Sequence, residues 1–83
     1  MISVTLQCFA QIREWTGRDS LTLELPEPVA VEQLVKHLAA RGLWKAPDVL
    51  PPLRYAVNQE FVSGTYRVQA GDEVCLIPPV AGG

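Results

Sequence analysis

Apolar residues recur at every second position from Ile2 through Val4 and Leu6 to Cys8, with Ser3, Thr5 and Gln7 between them. A period of two belongs to an extended strand, whose successive side chains face opposite sides, so this segment predicts a strand with its even positions turned to a core. Phe9 then falls on the odd, polar face. Ala10 to Trp15 predicts a short helix, stopped by the turn-forming run Thr16-Gly17-Arg18-Asp19. Leu21, Leu23 and Leu25 alternate with Thr22 and Glu24 and give a second strand, closed by Pro26 and Pro28. Two strands with a brief connection predict an antiparallel pair.

The period then changes. Val31, Leu34, Val35, Leu38 and Ala39 follow the i, i+3, i+4, i+7, i+8 spacing of an amphipathic helix, with Glu32, Gln33, Lys36, His37 and Arg41 on the outer face. Gly42 suits the left-handed residue that follows a helix, with Leu43 placed for the accompanying apolar contact. The N-terminal end is poorly marked, because Ala30 has no side chain able to cap it. Leu43 to Leu53 contains Pro47, Pro51 and Pro52 and reads as a loop. Arg54 to Asn58 predicts a strand, Asn58-Gln59 a tight turn, and Glu60 to Val62 the returning strand. Gln69-Ala70-Gly71-Asp72 is a further turn. Glu73 to Ile77 is apolar enough for a central strand covered on both faces, and Pro78-Pro79 cannot continue a ladder. A ββαβ(β)β order with one main helix implies an α+β fold, a mixed sheet of four to five strands with the helix packed on one face.

Eighty-three residues accommodate one hydrophobic core, hence one domain, read as 1–77 followed by a tail at 78–83. With 48% hydrophobic and 19% charged residues the chain is globular rather than disordered. The sequence has no apolar run of the roughly 18 residues needed to span a bilayer. Its opening residues lack the basic region of a signal peptide. A net charge of −2 gives no electrostatic footprint for nucleic acid or an anionic membrane. Two cysteines make no metal site alone, and a cytoplasmic location is expected.

Little in the chain reads as catalytic. His37, the single histidine, lies on the polar helix face beside Lys36 and Arg41 and reads as solvated. Cys8 and Cys75 fall within strands and read as packing residues. Asp72 and Glu73 sit where carboxylates serve a turn and a strand edge. The sequence has neither a phosphate-binding glycine loop nor metal-ligand spacing.

The tail Pro78-Pro79-Val80-Ala81-Gly82-Gly83 stands apart. The plain alternative is a frayed terminus. A chain end without side chains is also thin, adopts backbone angles closed to other residues, and threads a narrow channel. Val80 to Gly83 fully extended reach roughly 13 Å at about 3.3 Å per residue, and the proline pair holds the exit extended and off the sheet. The Gly83 carboxylate is ionised at neutral pH and a poor electrophile. Its use as a reactive group requires activation by another protein.

The tail Ile77-Pro78-Pro79-Val80-Ala81-Gly82-Gly83 after Gly71-Asp72-Glu73-Val74, the opening Phe9-Ala10-Gln11-Ile12-Arg13-Glu14 and the middle Ala56-Val57-Asn58-Gln59-Glu60 together resemble the small, sulfur-carrying subunits of molybdopterin synthase, which are ubiquitin-like β-grasp proteins. The resemblance implies that an ATP-dependent, ubiquitin-activating-like adenylyltransferase adenylates Gly83 and that a sulfur donor converts it to a thiocarboxylate. It also implies that the tail enters the large synthase subunit and gives its sulfur to cyclic pyranopterin monophosphate. No cofactor is then bound by this chain, ATP being used by the activating partner, and catalytic acids and bases come from the large subunit.

Phe9 and Ile77 have odd parity on strands whose even positions face the core, and Phe61 follows the Asn58-Gln59 turn. Either these three form an exposed apolar patch near the tail, or Ile77 and Phe61 are core residues and Phe9 alone is exposed. The related family docks through an apolar sheet surface, which favours the patch, with Arg13 as a polar contact at its rim. Rival readings are a sulfur carrier for thiamine thiazole or for tRNA thiolation, a ubiquitin-like modifier attached to lysines, and a plain binding module.

Overall fold

The two strands predicted at the start of the chain, β1 (Ile2–Gln7) and β2 (Ser20–Leu25), pair antiparallel from Ile2 opposite Leu25 to Gln7 opposite Ser20. This comes from a computed structural model, which describes residues 1–46 and 52–79. The alternation works as the period requires: Val4, Leu6 and Cys8 from one strand and Leu21, Leu23 and Leu25 from the other are buried on one face. Between the strands lies α1 (Ala10–Thr16), which contributes the fully buried Ile12 and stops at Gly17. Gly17 adopts φ 73°, which a glycine takes without the clash of a Cβ with the backbone.

The predicted main helix is present but starts differently. Val31–Gln33 form a turn of 3₁₀-helix, and the α-helix proper, α2, runs Leu34–Ala40. No side chain caps the entry. Loop carbonyls do so instead: the Val31 N–H donates to Tyr66 O at 2.7 Å and the Glu32 N–H to Gly64 O at 3.0 Å. These orphan donors of the first turn need partners wherever they come from, and the poorly capping Ala30 is thereby explained. At the other end Gly42, φ 71°, donates to Ala39 O at 3.0 Å while Leu43 donates to Leu38 O at 2.9 Å. That bond pair is the predicted left-handed C-terminal cap.

After the loop come β3 (Arg54–Val57), β4 (Glu60–Val62) and β5 (Glu73–Ile77). Asn58 and Gln59, φ 52° and 71°, make the tight turn between β3 and β4, as a two-residue hairpin with both central residues at positive φ requires. Asn58 thus belongs to the turn and not to the strand. The five strands run in the order β2-β1-β5-β3-β4, with β1 and β5 parallel and the other pairs antiparallel. A mixed sheet with its last strand at the centre and the main helix across one face is a β-grasp arrangement. The core between sheet and helices gathers Val4, Leu6, Ile12, Leu23, Leu25, Val31, Leu34, Leu38, Val68, Val74 and Leu76. Val68, completely buried although outside any strand, is a core residue that no periodicity marks.

Two side-chain assemblies brace this frame. Trp15 of α1 and Trp44 after α2 meet edge to face, 5.5 Å between centroids, and the Lys45 N–H donates to Trp15 O at 2.9 Å. Asp72 is 7% exposed and sits at a hub: one carboxylate oxygen accepts from Asn58 Nδ2 at 3.0 Å, the other from the Tyr66 hydroxyl at 3.1 Å and the Gln69 N–H at 2.8 Å. Asn58 Oδ1 accepts in turn from the Glu73 N–H at 3.0 Å, so the hub ties the β3-β4 turn to the start of β5. Burial, the hydrogen bond to Asp72 and its charge together raise the Tyr66 phenol above its ordinary 10.0. Asp72→Ala leaves several donors without their acceptor. It is expected to cost about 3 kcal/mol, because hydrogen bonds to a charged acceptor are worth about 1.5–3 kcal/mol each, and urea unfolding of the variant measures this.

Candidate functional site

The sheet has two unlike faces. Register places Thr5 and Gln7 of β1, Glu73, Cys75 and Ile77 of β5, Arg54 and Ala56 of β3, and Phe61 of β4 together on the face away from the helices. Towards β2 that face is polar, with Ser20, Thr22 and Glu24 exposed. Towards β3 and β4, at the end where β5 finishes, it becomes apolar.

Phe9 and Phe61 are each 63% exposed, unusual for residues that lose so much apolar area when buried. Ile77 is half-buried. Phe61 is therefore not in the core, and the reading in which only Phe9 is exposed is set aside. Continuing the parallel β1–β5 register beyond Gln7 opposite Cys75 brings Phe9 level with Ile77. Phe9, Ala10, Gln11, Leu76, Ile77, Pro78 and Pro79 line one shallow, largely apolar groove of about 440 Å³. Ala10, at φ 47°, is in the left-handed region that costs a non-glycine residue about 1–2 kcal/mol. That turn takes the chain from β1 into α1 immediately after Phe9, which keeps extended backbone angles.

The tail begins at this groove. Pro78, half-buried, and exposed Pro79 follow β5 without strand pairing, as two prolines must. Val80, Ala81, Gly82 and Gly83 lie outside the described residues. Arg13 does not line the groove: its guanidinium pairs with Asp19 at 2.8 Å on the exposed surface of α1.

Sequence reasoning missed Arg54. Its guanidinium carbon lies 4.3 Å from the centroid of the Phe61 ring, a cation–π contact. Arg54 stands opposite Ile77 in the β3–β5 ladder, so it belongs to the apolar end of the face. Its outward orientation, shared with Ala56, becomes visible only once the register of β3 with β5 is known.

The cysteines take no part in the groove. Cys8 is buried on the core face, Cys75 half-buried on the outer one, and both are free thiols. Burial, then Glu73 and Cys8, push the Cys75 thiol above its ordinary 9.0, which favours the unreactive protonated form. His37 is half-buried on α2, and its carbonyl accepts from Arg41 at 3.0 Å. Among the described residues no helix is long and apolar enough to cross a membrane.

A β-grasp with an exposed apolar face at the root of a glycine-ended tail defines a ubiquitin-like carrier or modifier class. Comparison with known proteins is specific. The chain belongs to the ThiS family, whose model matches residues 6–83. It is 41% identical over 76 residues to the molybdopterin synthase sulfur carrier subunit of Escherichia coli (strain K12), covering 90% of this chain and 93% of that protein. It is 35% identical over 86 residues to the human protein of the same name, covering 100% of this chain and 97% of that one. Among solved structures it is similar to the putative molybdopterin converting factor, subunit 1, from Pyrococcus furiosus. There the TM-score is 0.80 at 28% identity, with 96% of this chain and 100% of that chain covered.

Proposed function

We propose that this chain is the sulfur carrier of a molybdopterin synthase, acting in molybdenum cofactor biosynthesis. One observation carries the reading: a chain similar along its length to sulfur carrier subunits sends its tail out of the central strand, beside a groove flanked by exposed Phe9. The working part is the tail. A ubiquitin-activating-like adenylyltransferase joins the Gly83 carboxylate to the adenylyl group of ATP, releasing pyrophosphate. A sulfur donor at the sulfide level then displaces AMP and leaves a thiocarboxylate. Phe9, Phe61 and Ile77 seat the domain on the large synthase subunit while Val80 to Gly83 enter its active site. There the sulfur passes to cyclic pyranopterin monophosphate, and two such transfers build one dithiolene. The carrier itself supplies no acid or base. Its site of work is the cytoplasm, where Cys8 and Cys75 stay reduced.

The test is intact mass after co-expression with an activating enzyme of this type. A gain of about 16 Da, oxygen replaced by sulfur at one terminus, marks the carrier. Lysine-linked adducts in place of that gain mark a protein modifier. An unchanged mass overturns both and leaves a binding module. The pathway is then read from the acceptor: sulfur delivered to a thiazole precursor or to tRNA, and not to the pterin, reassigns the product while keeping the carrier chemistry.

A further inference from the structure

Arg54 is a cation set into the apolar end of the outer face, opposite Ile77 and stacked 4.3 Å from the centre of the Phe61 ring. Arg13 is paired with Asp19, Arg41 donates to the carbonyls of His37 and Glu24, and Arg67 donates to that of Pro28. Among the described residues Arg54 gives its N–H groups to no comparable acceptor, and it is exposed. The carboxylates of this sheet face, Glu24 and Glu73, lie away from it: Glu24 on the edge strand β2, and Glu73 at the opposite end of β5 from Ile77.

A guanidinium lying on an aromatic ring keeps its donors in its own plane, directed outward from the ring, in a fork that matches a carboxylate. Any protein that covers Phe61 and Ile77 covers Arg54 too. Desolvating a cation without an anion opposes association, whereas a bidentate carboxylate satisfies it. We propose that Arg54 is a specificity-determining contact of the docking face. The partner protein places a carboxylate against it, so that charge, added to apolar area, selects which protein receives the tail. The inference rests on the reading of this face as the surface that meets the large synthase subunit.

The experiment is titration calorimetry of the large subunit of molybdopterin synthase against the full chain at about 25 mM salt, where charge contacts are least screened. Arg54→Met is expected to bind about tenfold more weakly than wild type. Arg54→Glu is expected to lose about a hundredfold at low salt, since like charges meet. Arg54→Lys, which keeps the charge but loses the stacked fork, is expected to bind between wild type and Arg54→Met. Low-salt affinity of Arg54→Met equal to wild type overturns the proposal. So does an affinity of Arg54→Glu no weaker than that of Arg54→Met, which assigns the residue to Phe61 packing alone. Failure of wild type itself to bind overturns the functional reading instead, and this inference with it.

Discussion

Deleting Gly83, or adding one alanine after it, is expected to abolish sulfur transfer while the domain melts as before. Each change moves the reactive carbon by about 3.3 Å along an extended tail. A misplacement of about 1 Å can already cost about a hundredfold in rate, so loss of turnover to background is the expected size. The fold is indifferent to the change, since the core ends with Val74 and Leu76 on β5 and the ladder stops before Pro78. Single-turnover assays with carrier thiocarboxylated beforehand measure the transfer step, and melting curves measure the fold. Normal product formation by either variant would show that the terminal carboxylate is not the reactive group.

Phe61→Ala is expected to weaken binding to the large subunit at least roughly thirtyfold, the equivalent of about 2 kcal/mol for an apolar anchor at an interface centre. The ring is 63% exposed in the free chain. Its removal therefore forfeits only the contact with Arg54 and some packing on β3, and melting should shift by a few degrees at most. The two readouts separate a docking residue from a structural one. Unchanged affinity would leave the tail as the assigned contact. A large loss of free stability would return Phe61 to the core despite its exposure.

The sequence reading and the structure agree wherever a residue's fate is decided by its immediate neighbours along the chain. The parity of Ile2 to Cys8 and of Leu21 to Leu25 sets which side is buried, and both strands follow it. Gly42 and the Asn58-Gln59 pair carry their turns in their own backbone preferences. The prediction loosens where a distant segment intervenes. The first turn of the main helix is 3₁₀, and its Val31 and Glu32 donors are capped by the distant carbonyls of Tyr66 and Gly64. Glu73 to Ile77 read as covered on both faces, yet Cys75 and Ile77 are only half-buried, since the main helix covers the Val74 and Leu76 side. Trp15 against Trp44, the Asp72 hub and Arg54 over Phe61 all join residues far apart in sequence. No local period encodes such pairs. Of the candidate site, exposed Phe9 followed from parity, whereas Phe61 stayed open between patch and core on the sequence pattern and is decided by its exposure in the structure. Arg13, read as a polar contact at the rim, is exposed on α1 and paired with Asp19.

The central position of β5 has a mechanical consequence. The tail leaves from a strand hydrogen-bonded on both sides, to β1 through Thr5–Glu73 to Gln7–Cys75 and to β3 through Arg54–Ile77 to Val57–Val74. A pull on the tail along the strand axis therefore loads both ladders in shear, many bonds at once, rather than peeling them one by one. Because β1 runs parallel to β5, tension between the start of the chain and the tail also draws these two strands past each other along their length. A partner that grips the last residues tightly enough to hold them through a reaction, and then releases them, can tug on this domain without unravelling it.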